Sequence, residues 1–341
     1  MPRYLRALFA AILVFVAAQS AIAQGNQKFA ELGDFRLESG KTIQKCRIGY
    51  RTFGELNREK SNAILFPTWF SGRSEDLMGL IGPGKMVDSS KYFVIAVDAL
   101  GDGVSSSPSN SATQRGRAFP QFTIRDMVNS QHLMLTEKLQ IKRLYAVVGI
   151  SMGGMQTFQW MISYPDFMQK AIPIVGTPRQ SSYDLLLWQT ELRIIESNRN
   201  LKDGKKRAMS VIAGISLLFL YSPHYQVTHT KAADYKHALA EEEKSLARHD
   251  LDDYASQLRA MIGHDIFKPF NDSGDHAAAA VRARVLVIVS EQDHMVNPSS
   301  SLEFAGLLKA ETLELTNDCG HLATVCEGDR LAASIARFLS Q

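Results

Sequence analysis

The stretch that most constrains this chain is Leu144–Tyr145–Ala146–Val147–Val148 running into Gly149–Ile150–Ser151–Met152–Gly153–Gly154–Met155. A buried-strand pattern meets G-x-S-x-G, and a helical pattern carrying Phe158, Trp160 and Met161 follows. That sequence of events is the setting of a nucleophile elbow. To hold a serine hydroxyl clear at a strand's end, the backbone must turn through a strained conformation. Side chains two residues either side would collide with neighbouring elements, so glycine sits there. The helix starting after Ser151 directs its free N–H groups and positive dipole end to where an oxyanion would form.

The 341 residues allow one large α/β domain, or a core domain with an inserted cap. Met1–Arg6 is a short basic region, Ala7–Ala18 an apolar run, and Ala21–Ile22–Ala23 an A-x-A cleavage site before Gln24. These features predict a signal peptide over residues 1–23, a domain over 24–341, and export, most simply into a periplasm. The apolar run is too short for a comfortable membrane span, so no stable membrane insertion is expected. Loss of Arg3 and Arg6 with the leader brings the formal net charge from +3 to +1. With no basic stripe interleaved with aromatics, nothing favours a nucleic-acid partner. Of the three cysteines, Cys319 and Cys326 flank His321 closely enough for a bridge. Two separately buried thiols are the expectation.

Short opening strands are predicted at Phe35–Leu37 and Arg47–Phe53, then strands at Ala63–Pro67 and Tyr92–Ala99. Thr123–Leu139 has helical spacing, with Thr123 as cap. After the elbow and a strand at Ala171–Gly176, the alternation stops for about a hundred residues. Ser181–Asn198, Ala208–Tyr221 and Lys231–Ile262 read as helices, forming a cap insertion over about 180–280. Alternation resumes with strand Val285–Ser290, helix Ser299–Lys309, strand Glu311–Leu315 and helix Asp329–Leu339. Strands alternating with helices imply a mostly parallel central sheet covered on both faces. A cap at that point covers the sheet's carboxyl edge, where such sheets bind ligands.

A serine hydroxyl is a poor nucleophile at neutral pH and needs a base that a carboxylate orients. The strand Val285–Ser290 ends in Glu291–Gln292–Asp293–His294, and Glu311–Leu315 ends in Asn317–Asp318–Cys319–Gly320–His321. Ser151, Asp293 and His321 therefore fall in the order serine, acid, histidine, each after a strand. Glu291 is the alternative acid, though nearer its strand's end. His294 reads as pocket lining or solvated, His264–Asp265 as cap packing, and His132 as structural. No cluster has metal-ligand spacing, so no metal is expected. The oxyanion hole is expected to use the backbone N–H of Met152 and one from Trp69 or Phe70, in the loop after Ala63–Pro67.

From about Gly49 onward the chain resembles the homoserine O-acetyltransferase family, which has the α/β-hydrolase fold. The likeness is densest in Phe119–Pro–Gln–Phe–Thr–Ile–Arg–Asp126, Gln131 and Gly149–Ile–Ser–Met–Gly–Gly–Met–Gln156, with Tyr164–Pro–Asp166 closing the elbow helix; Gly101–Pro108 is similar to the family's glycine–serine–proline loop. The resemblance implies that Ser151 carries the acyl group, that Asp293 and His321 complete a triad, and that Phe70 is the second oxyanion donor. Two departures stand out. The family's histidine–alanine–leucine–threonine–glycine loop is here Thr68–Trp69–Phe70–Ser71–Gly72, and the cap arginine that holds homoserine's carboxylate is absent, with none between Arg207 and Arg248. Trp69 and Arg193 remain candidates for substrate binding. The function expected is a serine hydrolase acting on an ester or activated acyl group. The alternatives are an O-acyltransferase using acyl-CoA as co-substrate and an idle binding protein of the same fold. No cofactor is expected; the partner is a small-molecule acyl substrate, and a homodimer is left open.

Overall fold

The computed structural model describes residues 25–341; the expected signal peptide lies outside the described residues. An eight-stranded sheet has the order β1-β2-β4-β3-β5-β6-β7-β8. Its strands are β1 Lys28–Arg36, β2 Thr42–Phe53, β3 Ala63–Pro67, β4 Phe93–Val97, β5 Leu144–Ile150, β6 Met168–Ile174, β7 Arg284–Ser290 and β8 Glu311–Leu315. β2 runs antiparallel to both β1 and β4, and from β4 to β8 every pairing is parallel. This is the mixed, mostly parallel sheet of the α/β-hydrolase fold.

Strand side chains alternate between two cores, as period-2 geometry requires. Leu65, Ile95, Val97, Val147, Val287 and Val289 join the core on one face. Ile64, Phe66, Val94, Val148, Leu286 and Ile288 join the core on the other. Helices α1 (Ile124–Leu133) and α2 (Met152–Ser163) cover the first face. The last helix, Gly328–Ser340, covers the second through Leu331, Ile335, Phe338 and Leu339. Thr123 caps α1 through a reciprocal box with Asp126.

Between β6 and β7 lie α3 (Ser182–Asn198), α4 (Gly204–Leu220), α5 (Pro223–His229), α6 (Tyr235–Ala247), α7 (Leu251–Ile262) and α8 (Gly274–Ala280). The single helix expected over Lys231–Ile262 is two, because Asp250 accepts from the N–H groups of Asp252 and Asp253 and so starts a new helix. Helix α5 lies outside the expected helices, and its start signal is Ser222 accepting from the Tyr225 N–H, with Pro223 next. Among the described residues, no single helix is long and apolar enough to cross a membrane.

The other difference concerns the cysteines. Cys319 and Cys326 form a disulfide, correcting the expectation of two buried thiols. Cys319 is buried but Cys326 is exposed, and one short helical turn between them brings the sulfurs together. Cys46 is the free, buried cysteine among the described residues, and burial pushes its thiol up to about 12.

Candidate active site

Ser151 stands between β5 and α2 at φ 57° and ψ −119°, outside the regions L-residues favour. Its N–H donates to the Ile174 carbonyl at 2.8 Å, pinning the turn to β6. A Cβ at Gly149 would lie 2.1 Å from the Gly153 carbonyl oxygen, and one at Gly153 would lie 2.6 Å from that of Pro67. Neither position tolerates a side chain without moving backbone, which is the steric reason for the motif.

The Ser151 hydroxyl lies 3.0 Å from Nε2 of His321, and Nδ1 of His321 lies 2.7 Å from Oδ2 of Asp293. A carboxylate can only accept, so Nδ1 carries the imidazole proton and Nε2 is free to accept from the serine. Oδ1 of Asp293 accepts from the N–H groups of Met295 and Val296, both at 2.8 Å, which fixes the carboxylate's plane. Glu291, the alternative acid, is exposed, and Nδ1 of His321 is bonded to Asp293 instead.

The histidine loop is wedged in place. Gly320, at φ +66°, packs against the backbone of Leu220 to Ser222, where a Cβ would lie 2.7 Å from the Ser222 nitrogen. Its carbonyl accepts from Ser290 Oγ at 2.8 Å. The disulfide closes the loop on its far side.

Ser151 and His321 line a cavity of about 760 Å³. Trp69 and Phe70 line it from the loop after β3, on which a second N–H donor was expected beside that of Met152, the first residue of α2. The loop is held by the cap: the Ser71 N–H donates to Oε1 of Gln257 on α7, and Gln257 Nε2 donates to the Leu100 carbonyl. Phe70 packs edge-on against Trp188 and Tyr254, with ring centroids 6.2 and 4.4 Å away.

Arg193 does not line the cavity and is exposed on α3. Trp188 and Glu191, on the opposite side of that helix, do line it. Along the apolar stretch of α4, Leu220 lines the cavity, while Ile212 is buried in the cap and Val211 and Leu218 are exposed. Arg248, beyond that run, lines the cavity with its guanidinium 3.8 Å from Asp76. His264 is fully packed, with Nε2 3.1 Å from the Thr177 carbonyl oxygen, and burial depresses it to about 4. His132 stacks on Tyr164 at 3.8 Å. Both are structural.

The sequence profile described as alpha/beta hydrolase fold matches residues 84–325. This chain belongs to the α/β-hydrolase family. Within it, the chain is 39% identical over 191 residues to an ethyl acetate hydrolase of Pseudomonas veronii, a match covering 55% of each chain and so about half of that relative's length. It is 30% identical over 354 aligned positions to a homoserine O-acetyltransferase of Methanococcoides burtonii, covering 90% of this chain and 72% of the relative. Among α/β-hydrolase structures, the acetyl esterase MekB superposes with a TM-score of 0.88 at 28% identity, covering 93% of this chain and 98% of the other. The proteins this chain is similar to include both esterases and homoserine O-acetyltransferases.

Proposed function

We propose that this chain is a serine esterase that hydrolyses short, uncharged esters through an acyl-enzyme on Ser151. The observation that carries the reading is the hydrogen-bonded chain from Ser151 through His321 to Asp293 at a strained strand–helix turn. Ser151 Oγ attacks the carbonyl carbon while Nε2 of His321 takes its proton. Asp293 holds the tautomer and stabilises the imidazolium that forms. The N–H groups of Met152 and Phe70 receive the oxyanion, and losing one such donor typically costs about 3–4 kcal/mol of transition-state stabilisation. His321 then gives its proton to the departing alkoxide, and the same groups activate water against the acyl-enzyme. The names of the esterase relatives support this substrate class.

A second reading is O-acyl transfer from acyl-CoA to an alcohol, favoured by the alignment with the Methanococcoides burtonii homoserine O-acetyltransferase over most of both chains. A homoserine carboxylate taken from water needs a fixed cation, since an unpaired charge there costs several kcal/mol. Arg193 is exposed, and Arg248 is half-exposed beside Asp76. Both support hydrolysis over this transfer. The test is one preparation assayed for acetyl ester hydrolysis and for O-acetylhomoserine formation. Hydrolysis with no saturable homoserine rate is expected; ready acetylhomoserine formation that Arg193→Ala or Arg248→Ala stops, leaving hydrolysis intact, would overturn the esterase reading.

The exported location belongs to the same proposal. It draws support from the Cys319–Cys326 disulfide, a bond that persists in oxidising compartments. A tagged full-length chain should reach the periplasmic fraction with Gln24 as its first residue. Soluble cytoplasmic protein retaining Met1 would contradict it.

A further inference from the structure

The cap wall of the Ser151 cavity holds a polar group that the acyl-enzyme chemistry leaves unused. Trp188 and Glu191 stand one turn apart on α3, so they share a face, and Tyr254 meets them from α7. All three line the cavity, and they are 2%, 1% and 5% exposed. The Tyr254 hydroxyl donates to Oε2 of Glu191 at 3.0 Å. Nε1 of Trp188 is buried and has no hydrogen-bond partner among the described residues. A buried donor left unpaired is destabilising, so its retention beside a cavity points to a ligand atom that satisfies it.

The group's charge narrows the ligand. Among the described residues, no cation is hydrogen-bonded or ion-paired to Glu191; its partner is a phenol. Burial pushes this carboxyl up to about 8, so it keeps its proton at neutral pH and presents an O–H. The wall therefore offers neutral donors, an indole N–H and a carboxylic O–H. An anion buried there would lack a countercharge, and an ammonium would meet N–H and O–H dipoles turned the wrong way. An uncharged acceptor oxygen fits both donors.

Resting on the esterase reading for its substrate, we propose that Trp188, Glu191 and Tyr254 form a specificity subsite that takes an uncharged oxygen of the substrate, ether or carbonyl, other than those of the scissile ester group. Trp188 and Tyr254 also flank Phe70, which puts the subsite beside the expected oxyanion position.

The test compares isosteric esters differing by one oxygen: 2-methoxyethyl acetate with butyl acetate, and ethyl methoxyacetate with ethyl butanoate. The readout is the ratio of kcat/KM within each pair, wild type against variant, which cancels the esters' intrinsic reactivities. Trp188→Phe keeps a ring against Phe70 and removes the N–H. It should lower the oxygen-to-methylene ratio of at least one pair by about three- to tenfold, the worth of one hydrogen bond. Glu191→Leu should do the same, and Glu191→Gln, which still donates, should keep the preference. A purely structural role would lower both members of each pair alike, and that result overturns the subsite. Affinities of the same pairs for Ser151→Ala, with and without Trp188→Phe, measured by ligand-observed NMR, repeat the comparison without turnover. A chain that hydrolyses no ester refutes the esterase reading, while the binding ratios decide the subsite separately: unchanged ratios overturn it.

Discussion

Asp293 and His321 are joined by one carboxylate oxygen only: Oδ2 takes the imidazole N–H at 2.7 Å, while Oδ1 is held by the Met295 and Val296 amides. The carboxylate is thus fixed by its own loop as well as by His321. Asp293→Asn keeps the shape but favours the wrong imidazole tautomer, so kcat should fall by about 10³–10⁴-fold. Glu291→Gln, on the exposed neighbour, should change kcat by less than about threefold, within the range of surface substitutions. Steady-state kinetics on one ester check both. Comparable losses in the two variants would contradict the assignment of the acid.

Gln257 is fully buried and bridges the Ser71 N–H and the Leu100 carbonyl, tying α7 to the loop that carries Phe70. Gln257→Leu strands both backbone groups, at about 1–3 kcal/mol each, and frees the loop. In the proposed mechanism the Phe70 N–H acts in the transition state, and on that reading kcat should fall by about ten- to a hundredfold with KM little changed. A variant that is destabilised but keeps full kcat would show that Gln257 supports the fold alone.

Glu191 gives a pH signature in stability. Its folded value of about 8 lies above its ordinary 4.5, so between those pH values the folded state binds more protons than the unfolded one. Stability from this group is therefore lost as pH rises through that window. Glu191→Gln removes the loss, so the Tm of the variant minus that of wild type should increase steadily from pH 5 to pH 8. A difference flat across that range would mean that Glu191 is ionised when folded.

The Cys319–Cys326 bridge closes a loop with a sequence separation of 7 around His321. Constraining so short a loop is worth about 2–3 kcal/mol in the chain-entropy account. The double substitution to serine should lower Tm, and dithiothreitol should depress activity in wild type and not in the variant. Cys46, raised to about 12 by burial, is a poor partner for exchange, so reoxidation should restore activity. Insensitivity of wild type to reductant would separate the bridge from the histidine's placement.

The parts legible in the sequence were those set by local geometry. Gly149, Ser151 and Gly153 announce the turn because no other residue fits against the Gly153 and Pro67 carbonyls. Asp293 follows the apolar run of β7 and His321 the alternating Glu-Thr-Leu-Glu-Leu of β8, and strand order supplies the rest. Helix phase is legible too: Trp188 and Glu191 share the buried face of α3, and Arg193, two residues further round, is exposed. The remainder is tertiary. Ser71 and Gln257 are 186 residues apart, and Glu191 and Tyr254 are 63 apart. Nothing local in a cap helix states which other helix it will face. The disulfide was hidden for a related reason, since a seven-residue spacing bridges only if the turn between folds back.

The central claim is that Ser151 is the nucleophile. A fluorophosphonate probe on the purified protein, followed by peptide mass spectrometry, tests it directly, with ester hydrolysis followed in parallel. The adduct should sit on Ser151, and Ser151→Ala should lose both labelling and at least about a thousandfold of turnover. An adduct on another residue, or a Ser151→Ala protein that hydrolyses esters at the wild-type rate, would contradict the account.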